Sequence, residues 1–244
     1  FLLSVPIIWR QSKALIHLRQ KSMFHLSKSK LMKTLISKII VIVALMFATS
    51  MNAQNNNQFD AQLKTTLSNV KADEATSIVK GMDELKRMEV QYPDAWLPTY
   101  YRVFYALQYA ARSPQSDYSS LFLDAVKADL EAMQTKKGVD RSEQFTLKGF
   151  YYAALIAQNP SVNGKLYYID AICYYKSAIG INPSNPRPRV LLYIFFEKMS
   201  KETGRPSMNT PKDLETIKEL FAKEKQNGMQ PAWGRNLIDY FKLK

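Results

Sequence analysis

Histidine is nearly absent from this chain of 244 residues, and its two copies, His17 and His25, both lie within the first 31 residues. Histidine is the side chain that titrates near neutral pH without help from its surroundings, and it is the commonest metal ligand. Its lack beyond residue 31 excludes a Ser-His-Asp or Cys-His nucleophile there, and also a zinc or iron site that uses imidazole. We therefore expect a protein that is not an enzyme and that needs no metal or other cofactor.

Cysteine occurs once, so the chain cannot form an internal disulfide. Cys173 stands two residues after Ala171 and two before Tyr175, which places it on the opposite side of a helix from both. No basic residue adjoins it in sequence to lower the pKa of its thiol. We interpret Cys173 as a space-filling residue rather than a nucleophile.

A secretory signal is predicted near the beginning of the sequence, where Lys33 and Lys38 precede an apolar run over residues 39–49 and a small polar stretch over 50–53. The run is short for a membrane span, which needs about 20 apolar residues, although an uncleaved anchor is the alternative. Cleavage could follow Ser50 or Ala53. Residues 1–31 are interpreted as an upstream extension outside the native product, with a basic nucleic-acid-binding arm as the other possibility.

Acidic residues are missing from the first 54 positions, so this stretch contributes a large part of the net charge of +13. Removing the eight Lys and Arg residues of that stretch leaves 26 basic against 21 acidic residues, a net charge of +5. Such a small excess over the remaining chain does not indicate a nucleic-acid-binding protein. We expect contact with a membrane only through the signal peptide, before its cleavage, and an exported, periplasmic or secreted product.

Glycine is scarce, with 8 residues, and β-branched runs are short, so an all-α fold is predicted for residues 59–244 after a polar linker at 54–58. Prolines fall at or between the ends of the apolar-periodic segments, where they punctuate helices. The predicted helices cover 57–69, 73–91, 96–111, 118–134, 141–157, 167–180, 187–202, 211–226 and 232–242.

Two of these helices share a residue pattern that indicates an internal repeat. Each has a small residue, a large apolar residue four positions later, another apolar residue three later and a proline five later. The two sets lie ninety residues apart, a distance that holds four helices, so the unit is a helix pair of about 45 residues. The sets are Gly81, Leu85, Met88 and Pro93, and Ala171, Tyr175, Ala178 and Pro183.

The second set resembles the second helix of a tetratricopeptide repeat, and the turn that follows it is also similar to that family. Gly149 and Tyr152 match the family's first helix, but about ten extra residues that include "NPSVNG" then intervene. The resemblance implies a right-handed α-α superhelix of about four helix pairs, closed by a C-terminal capping helix that starts near Trp233. It also implies a concave face that binds a protein or peptide, and no catalytic residue.

Tyrosines form a second stripe on the predicted helix 96–111, beside an ordinary apolar stripe. The simpler interpretation is a helix packed between two neighbours. The functional interpretation is that Tyr101, Arg102 and Tyr105, with Tyr152, line the concave groove and contact a peptide partner.

A glycan-related function is the alternative. "GMQ", residues 228–230, resembles a segment of lytic transglycosylases, which cleave peptidoglycan with one glutamate as general acid. The Glu-Ser pair of that family is missing upstream. Glu215 and Glu219 alternate with lysines on one helix face, as in a solvated stripe. An acid-lined cleft at either glutamate would favour hydrolysis, and an open surface with exposed tyrosines would favour binding.

Overall fold

The computed structural model describes residues 57–241, and side chains as far as Asp239. The predicted all-α class is confirmed, since this part of the chain contains eight α-helices, two 3-10 helices and no strand. The proposed extension, signal peptide and most of the linker lie outside the described residues. The helices are α1 (57–69), α2 (Ala75–Gln91), α3 (Leu97–Arg112), α4 (Asp117–Ala132), α5 (Arg141–Gln158), α6 (Pro160–Ile181), α7 (Pro186–Thr203) and α8 (Pro211–Lys223).

The helices differ from the sequence prediction in three places: the start of α6, the end of α8 and the last helix. Helix α6 begins at Pro160, not at residue 167, because Asn159 caps it by accepting a hydrogen bond from the backbone N–H of Val162 at 3.3 Å. The "NPSVNG" stretch is therefore a helical extension and not a loop. The last predicted helix is instead the 3-10 helix Arg235–Phe241, and α8 ends at Lys223.

The helices pack in sequential pairs. From α2 to α8, each helix packs against the next, and α3 also packs against α5, as α5 does against α7. Helices α3, α5 and α7 therefore form a row, with the even-numbered helices beside it. This arrangement is compatible with a helical repeat.

The turns after α2 and α6 are closed by equivalent hydrogen bonds ninety residues apart. The N–H of Tyr92 donates to the carbonyl of Met88 at 2.8 Å, and the N–H of Asn182 donates to that of Ala178 at 3.1 Å. Both helices bury the predicted residues on one face: Gly81, Leu85 and Met88 in α2, and Ala171, Tyr175 and Ala178 in α6. Pro93 and Pro183 lie in the turns that follow. The intervening helix α4 buries Leu123, Val126 and Leu130, 45 residues after Ile78, Gly81 and Leu85.

The segment after α8 crosses the row of odd-numbered helices. The hydroxyl of Tyr101 donates to the carbonyl of Met229 at 2.9 Å. Trp233 stacks on Phe104 with ring centroids 4.5 Å apart, and Ile238 packs with α7 and α8. The segment thus folds back over α3 instead of extending the stack as a capping α-helix. None of the described helices combines the length and apolar character that a membrane crossing would require.

Candidate functional site

A groove opens between the first half of α6, the second half of α7 and the segment that follows α7. Its volume is about 910 Å³. It is lined by Pro160, Ser161, Gly164, Lys165, Tyr168, Ile169, Phe196, Met199, Ser200, Glu202, Thr203, Arg205, Pro206 and Met208. We refer to it as the α6–α7 groove.

Local sequence features build both walls of the α6–α7 groove. The early start of α6 at Pro160 supplies one wall. The other wall ends where Gly204 adopts a positive φ of 67°, which favours glycine and terminates α7. The segment beyond it is held against α7 because Ser200 Oγ donates to the carbonyl of Arg205 at 2.6 Å and Asn209 Nδ2 donates to the carbonyl of Tyr193 at 2.9 Å.

Large apolar side chains are exposed along this groove. Ile169 and Met208 line it, and they are 67% and 63% exposed. Val162 and Leu166 are also exposed, and their spacing from Ile169 puts them on the same face of α6. We refer to these four residues as the apolar patch. Contiguous exposed apolar residues are typical of binding surfaces.

The polar residues of the groove include two cations, one phenol and one carboxylate, that of Glu202. Lys165 comes from α6 and Arg205 from the segment after α7, so both walls contribute a positive charge. The hydroxyl of Tyr168 contacts Sδ of Met208 at 3.6 Å, while its ring lies 5.5 Å from that of Phe195. The site therefore combines an apolar surface with groups that pair with anions.

A smaller cavity of about 280 Å³ adjoins the groove between α5 and α7, with Pro160, Met199 and Glu202 lining both. Its other lining residues include Phe150, Tyr175 and Leu191, so its walls are mainly core side chains. Neither Glu215 nor Glu219 lines either cavity. Both glutamates are exposed, and Glu219 is paired with Lys223 at 3.5 Å.

Three of the predicted binding residues make internal contacts on α3. Tyr101 is buried and bonded to the C-terminal segment, and half-buried Tyr105 donates to the carbonyl of Leu67 at 3.4 Å. Arg102 is buried between two carboxylates: its Nη2 donates to Glu89 Oε1 at 2.8 Å, and its Nη1 forms an ion pair with Asp129 Oδ2 at 2.6 Å. It thus joins α2, α3 and α4, on a different side of α3 from Tyr101.

Tyr152 lies in a separate aromatic cluster between α5 and α6. Its ring is nearly parallel to that of Tyr174, with an interplanar angle of 6° and centroids 5.5 Å apart, and Tyr167 lies at the same distance. Lys148 Nζ lies 5.6 Å from the centre of the Tyr174 ring. The structure does not bring Tyr152 together with the α3 residues that the sequence analysis grouped with it.

A buried polar network runs through the row of odd-numbered helices. Tyr100 of α3 donates to Glu143 Oε2 of α5 at 2.6 Å, and Arg187 Nε of α7 donates to Glu143 Oε1 at 2.7 Å. Burial raises the pKa of Glu143, although the Arg187 guanidinium acts against the shift. Burial, followed by the charge of Glu143, raises the pKa of Tyr100 well above its ordinary value. The network occupies the helix interfaces, so we assign it a structural role.

Sequence reasoning missed the groove as well as this network. The available signal for the groove was Asn159 followed by Pro160, since a capping residue before a proline is a typical helix start. Three apolar residues at helical spacing, Val162, Leu166 and Ile169, then show that the helix has a second apolar face. Among the described residues, no group of three or more His, Cys, Asp or Glu side chains could hold a metal ion.

Comparison with known proteins supports a class of fold: an all-α protein built from packed helix pairs. No protein-family model and no curated protein sequence matches the chain. A solved structure that is similar to it is the HusA haemophore from Porphyromonas gingivalis, with a TM-score of 0.63 and 17% identity over 76% of this chain and 89% of that one. At this identity the likeness shows a shared fold and nothing more.

Proposed function

We propose that this protein is an exported, non-catalytic carrier that binds a haem-type tetrapyrrole in the α6–α7 groove. The observation that carries the proposal is the groove itself, whose exposed apolar residues lie beside cations from both walls. Its volume of about 910 Å³ falls within the range of about 300–1,000 Å³ typical of small-molecule sites.

The chemistry of the groove suits a flat apolar molecule that carries carboxylates. Ile169, Phe196 and Met208 offer apolar contacts to the faces of such a ring. Lys165 and Arg205 offer charge-assisted hydrogen bonds to its acidic groups. A porphyrin with two propionates has this combination of features. The similar fold of a haemophore supports the same ligand class.

Export is proposed from the sequence of residues 32–53, which has the three parts of a signal peptide. The absence of catalysis is proposed because histidine does not occur beyond residue 31, and because Glu215 and Glu219 are exposed at the surface of α8. Haem would be cargo here, not a catalytic cofactor.

Peptide binding on the inner face of a tetratricopeptide-like superhelix is the second candidate. The observation that favours it is the C-terminal segment, which lies across α3 as a bound peptide would. Tyr101 binds the backbone of this segment at Met229, and Trp233 Nε1 donates to the Tyr100 hydroxyl at 2.8 Å. A partner peptide would have to displace the segment to reach Tyr101.

Titration with metal-free protoporphyrin IX and with iron(III) protoporphyrin IX tests the primary proposal, with quenching of tryptophan and tyrosine fluorescence as the readout. We expect saturable binding of both, weakened at least about tenfold, or about 1.4 kcal/mol, by Ile169→Glu. Leu121→Glu is the matched control, because Leu121 is 63% exposed on α4 and does not line the groove. Equal effects of the two substitutions, or no saturable binding, would refute the proposal.

A further inference from the structure

Three side chains in the α6–α7 groove are of types that ligate haem iron in proteins: Tyr168, Met199 and Met208. Histidine and cysteine, the other common haem ligands, are not among the lining residues. Resting on the proposed function, we propose that the phenolate oxygen of Tyr168 ligates ferric haem in this groove. The carrier would then distinguish iron porphyrin from metal-free porphyrin.

The position of Tyr168 gives its hydroxyl access to a ligand in the groove. Gly164 lies one turn before it on α6, and a Cβ built at Gly164 meets no atom within 4 Å. A flat molecule can therefore approach the backbone of α6 beside the tyrosine. The ring of Tyr168 packs against Phe195, with ring centroids 5.5 Å apart, and Tyr168 is half-buried. Turning the ring into solvent would therefore cost this aromatic contact.

The contact between Tyr168 and Met208 places an oxygen and a sulfur donor at the same point of the groove, 3.6 Å apart. Ferric iron is a hard cation and prefers the anionic phenolate oxygen, whereas a thioether is a soft, neutral donor. Lys165, Arg205 and the carboxylate of Glu202 line the same groove, so the charged groups beside Tyr168 are two cations and one anion. Of the two donors, Tyr168 is thus the better match for the ferric state.

Coordination by Tyr168 is a proton exchange without a redox step. The phenol releases its proton to water, and a lone pair of Oη forms the bond to iron, which stays ferric. Because ligation releases the proton, affinity for iron(III) protoporphyrin IX should rise with pH for as long as the phenol of the ligand-free protein is protonated. Metal-free protoporphyrin IX has no iron to ligate, so its affinity should not depend on the phenol.

The test compares the two porphyrins on the full chain and on three variants, Tyr168→Phe, Tyr168→His and Met208→Leu, by absorption spectroscopy. We expect Tyr168→Phe to weaken iron(III) protoporphyrin IX at least about tenfold, to remove the phenolate-to-iron charge-transfer band and to abolish the pH dependence. The same variant should bind metal-free protoporphyrin IX within about twofold of the parent protein, which shows that the groove is intact. Tyr168→His should restore iron binding with a different spectrum.

Met208→Leu is expected to keep the charge-transfer band and the iron preference. The inference is overturned if Tyr168→Phe binds both porphyrins like the parent, or if Met208→Leu and not Tyr168→Phe loses the iron preference. If neither porphyrin binds the parent protein, the proposed function fails, and ligation by Tyr168 fails with it. Binding of metal-free porphyrin alone would refute the ligation but leave the carrier function standing.

Discussion

Nε of Arg187 donates a hydrogen bond to Oε1 of Glu143 at 2.7 Å across the interface of α7 and α5, and both side chains are buried. Tyr100 reaches the other oxygen of the same carboxylate from α3. A single carboxylate therefore connects three consecutive odd-numbered helices. The pair is surrounded by hydrogen bonds, as a charge must be when it is removed from water.

Glu143→Gln should lower the free energy of unfolding by about 3 kcal/mol, because it removes the more deeply buried of the two carboxylates that pair with the Arg187 guanidinium and leaves only Glu224. Chemical denaturation followed by far-UV circular dichroism measures the change. Glu219→Gln, in an exposed pair, is the control and should change stability by no more than about 0.5 kcal/mol. Similar small losses in both variants would mean that the network is solvated.

Arg102→Met should also destabilise the protein by about 3 kcal/mol, since the carboxylates of Glu89 and Asp129 would share one interface without the cation between them. Arg112→Met is the control on the same helix, where the side chain is exposed, and we expect a change within about 0.5 kcal/mol. The measurement separates a structural role of Arg102 from the partner-binding role that the sequence suggested. An Arg102→Met protein of unchanged stability would favour the latter.

Gly149→Ala tests the close approach of α5 and α6. A Cβ at this position would lie 2.7 Å from Cδ1 of the buried Tyr175 ring, so a loss of about 1–3 kcal/mol is expected. Gly180→Ala, at an exposed position of α6 where a Cβ meets nothing within 4 Å, should instead stabilise by about 0.5–1 kcal/mol. Thermal melts show whether each substitution lowers or raises the stability. Tyr175→Leu in the Gly149→Ala background should recover part of the loss, and additive effects would contradict the contact.

Stability should fall steeply above pH 10 because burial raises the pKa of the phenols of Tyr100, Tyr101 and Tyr175. Each phenol ionises near pH 10 in the unfolded chain and stays protonated in the folded one, so its contribution is complete below pH 10 and is lost as the pH rises toward the folded value. Tyr175→Phe should reduce the slope of unfolding free energy against pH by about 1.4 kcal/mol per pH unit in this window. Denaturation series at pH 9 and pH 11 provide the slope. An unchanged slope would show that Tyr175 titrates alike in both states.

Prolines and apolar periodicity in the sequence predicted most helices well, but they did not predict which residues pair across helix interfaces. The predicted helices 73–91 and 96–111 lie within two residues of Ala75–Gln91 and Leu97–Arg112, because prolines and apolar periodicity act over a few residues. No such signal connects Glu143 with Arg187, which are 44 positions apart. A charged residue on a helix is most often exposed, so the pattern alone gave no reason to bury either one.

The candidate site was not found from the sequence for a similar reason. Tyr101 was expected on an open face, but the C-terminal segment covers it at Met229, and Tyr105 is bonded to Leu67 instead of facing a groove. Where a segment of irregular backbone packs depends on the whole fold and not on its own residues. Pro160 was interpreted as a residue between two helices, although it is the first residue of α6. The sequence analysis therefore did not predict the helical extension that forms one wall of the α6–α7 groove.

Gly164→Leu should fill the α6–α7 groove without weakening the fold. Because a Cβ at Gly164 meets no atom within 4 Å, the leucine side chain extends into the groove beside Tyr168, and its helix propensity is up to about 1 kcal/mol better than that of glycine. We expect affinity for both porphyrins to fall at least about tenfold while the melting temperature is kept or rises. Gly180→Leu, on the same helix but outside the groove, should bind like the parent protein. Unchanged binding by Gly164→Leu would show that any porphyrin site lies elsewhere, because a ligand in contact with the wall of α6 cannot share that volume with four added carbon atoms.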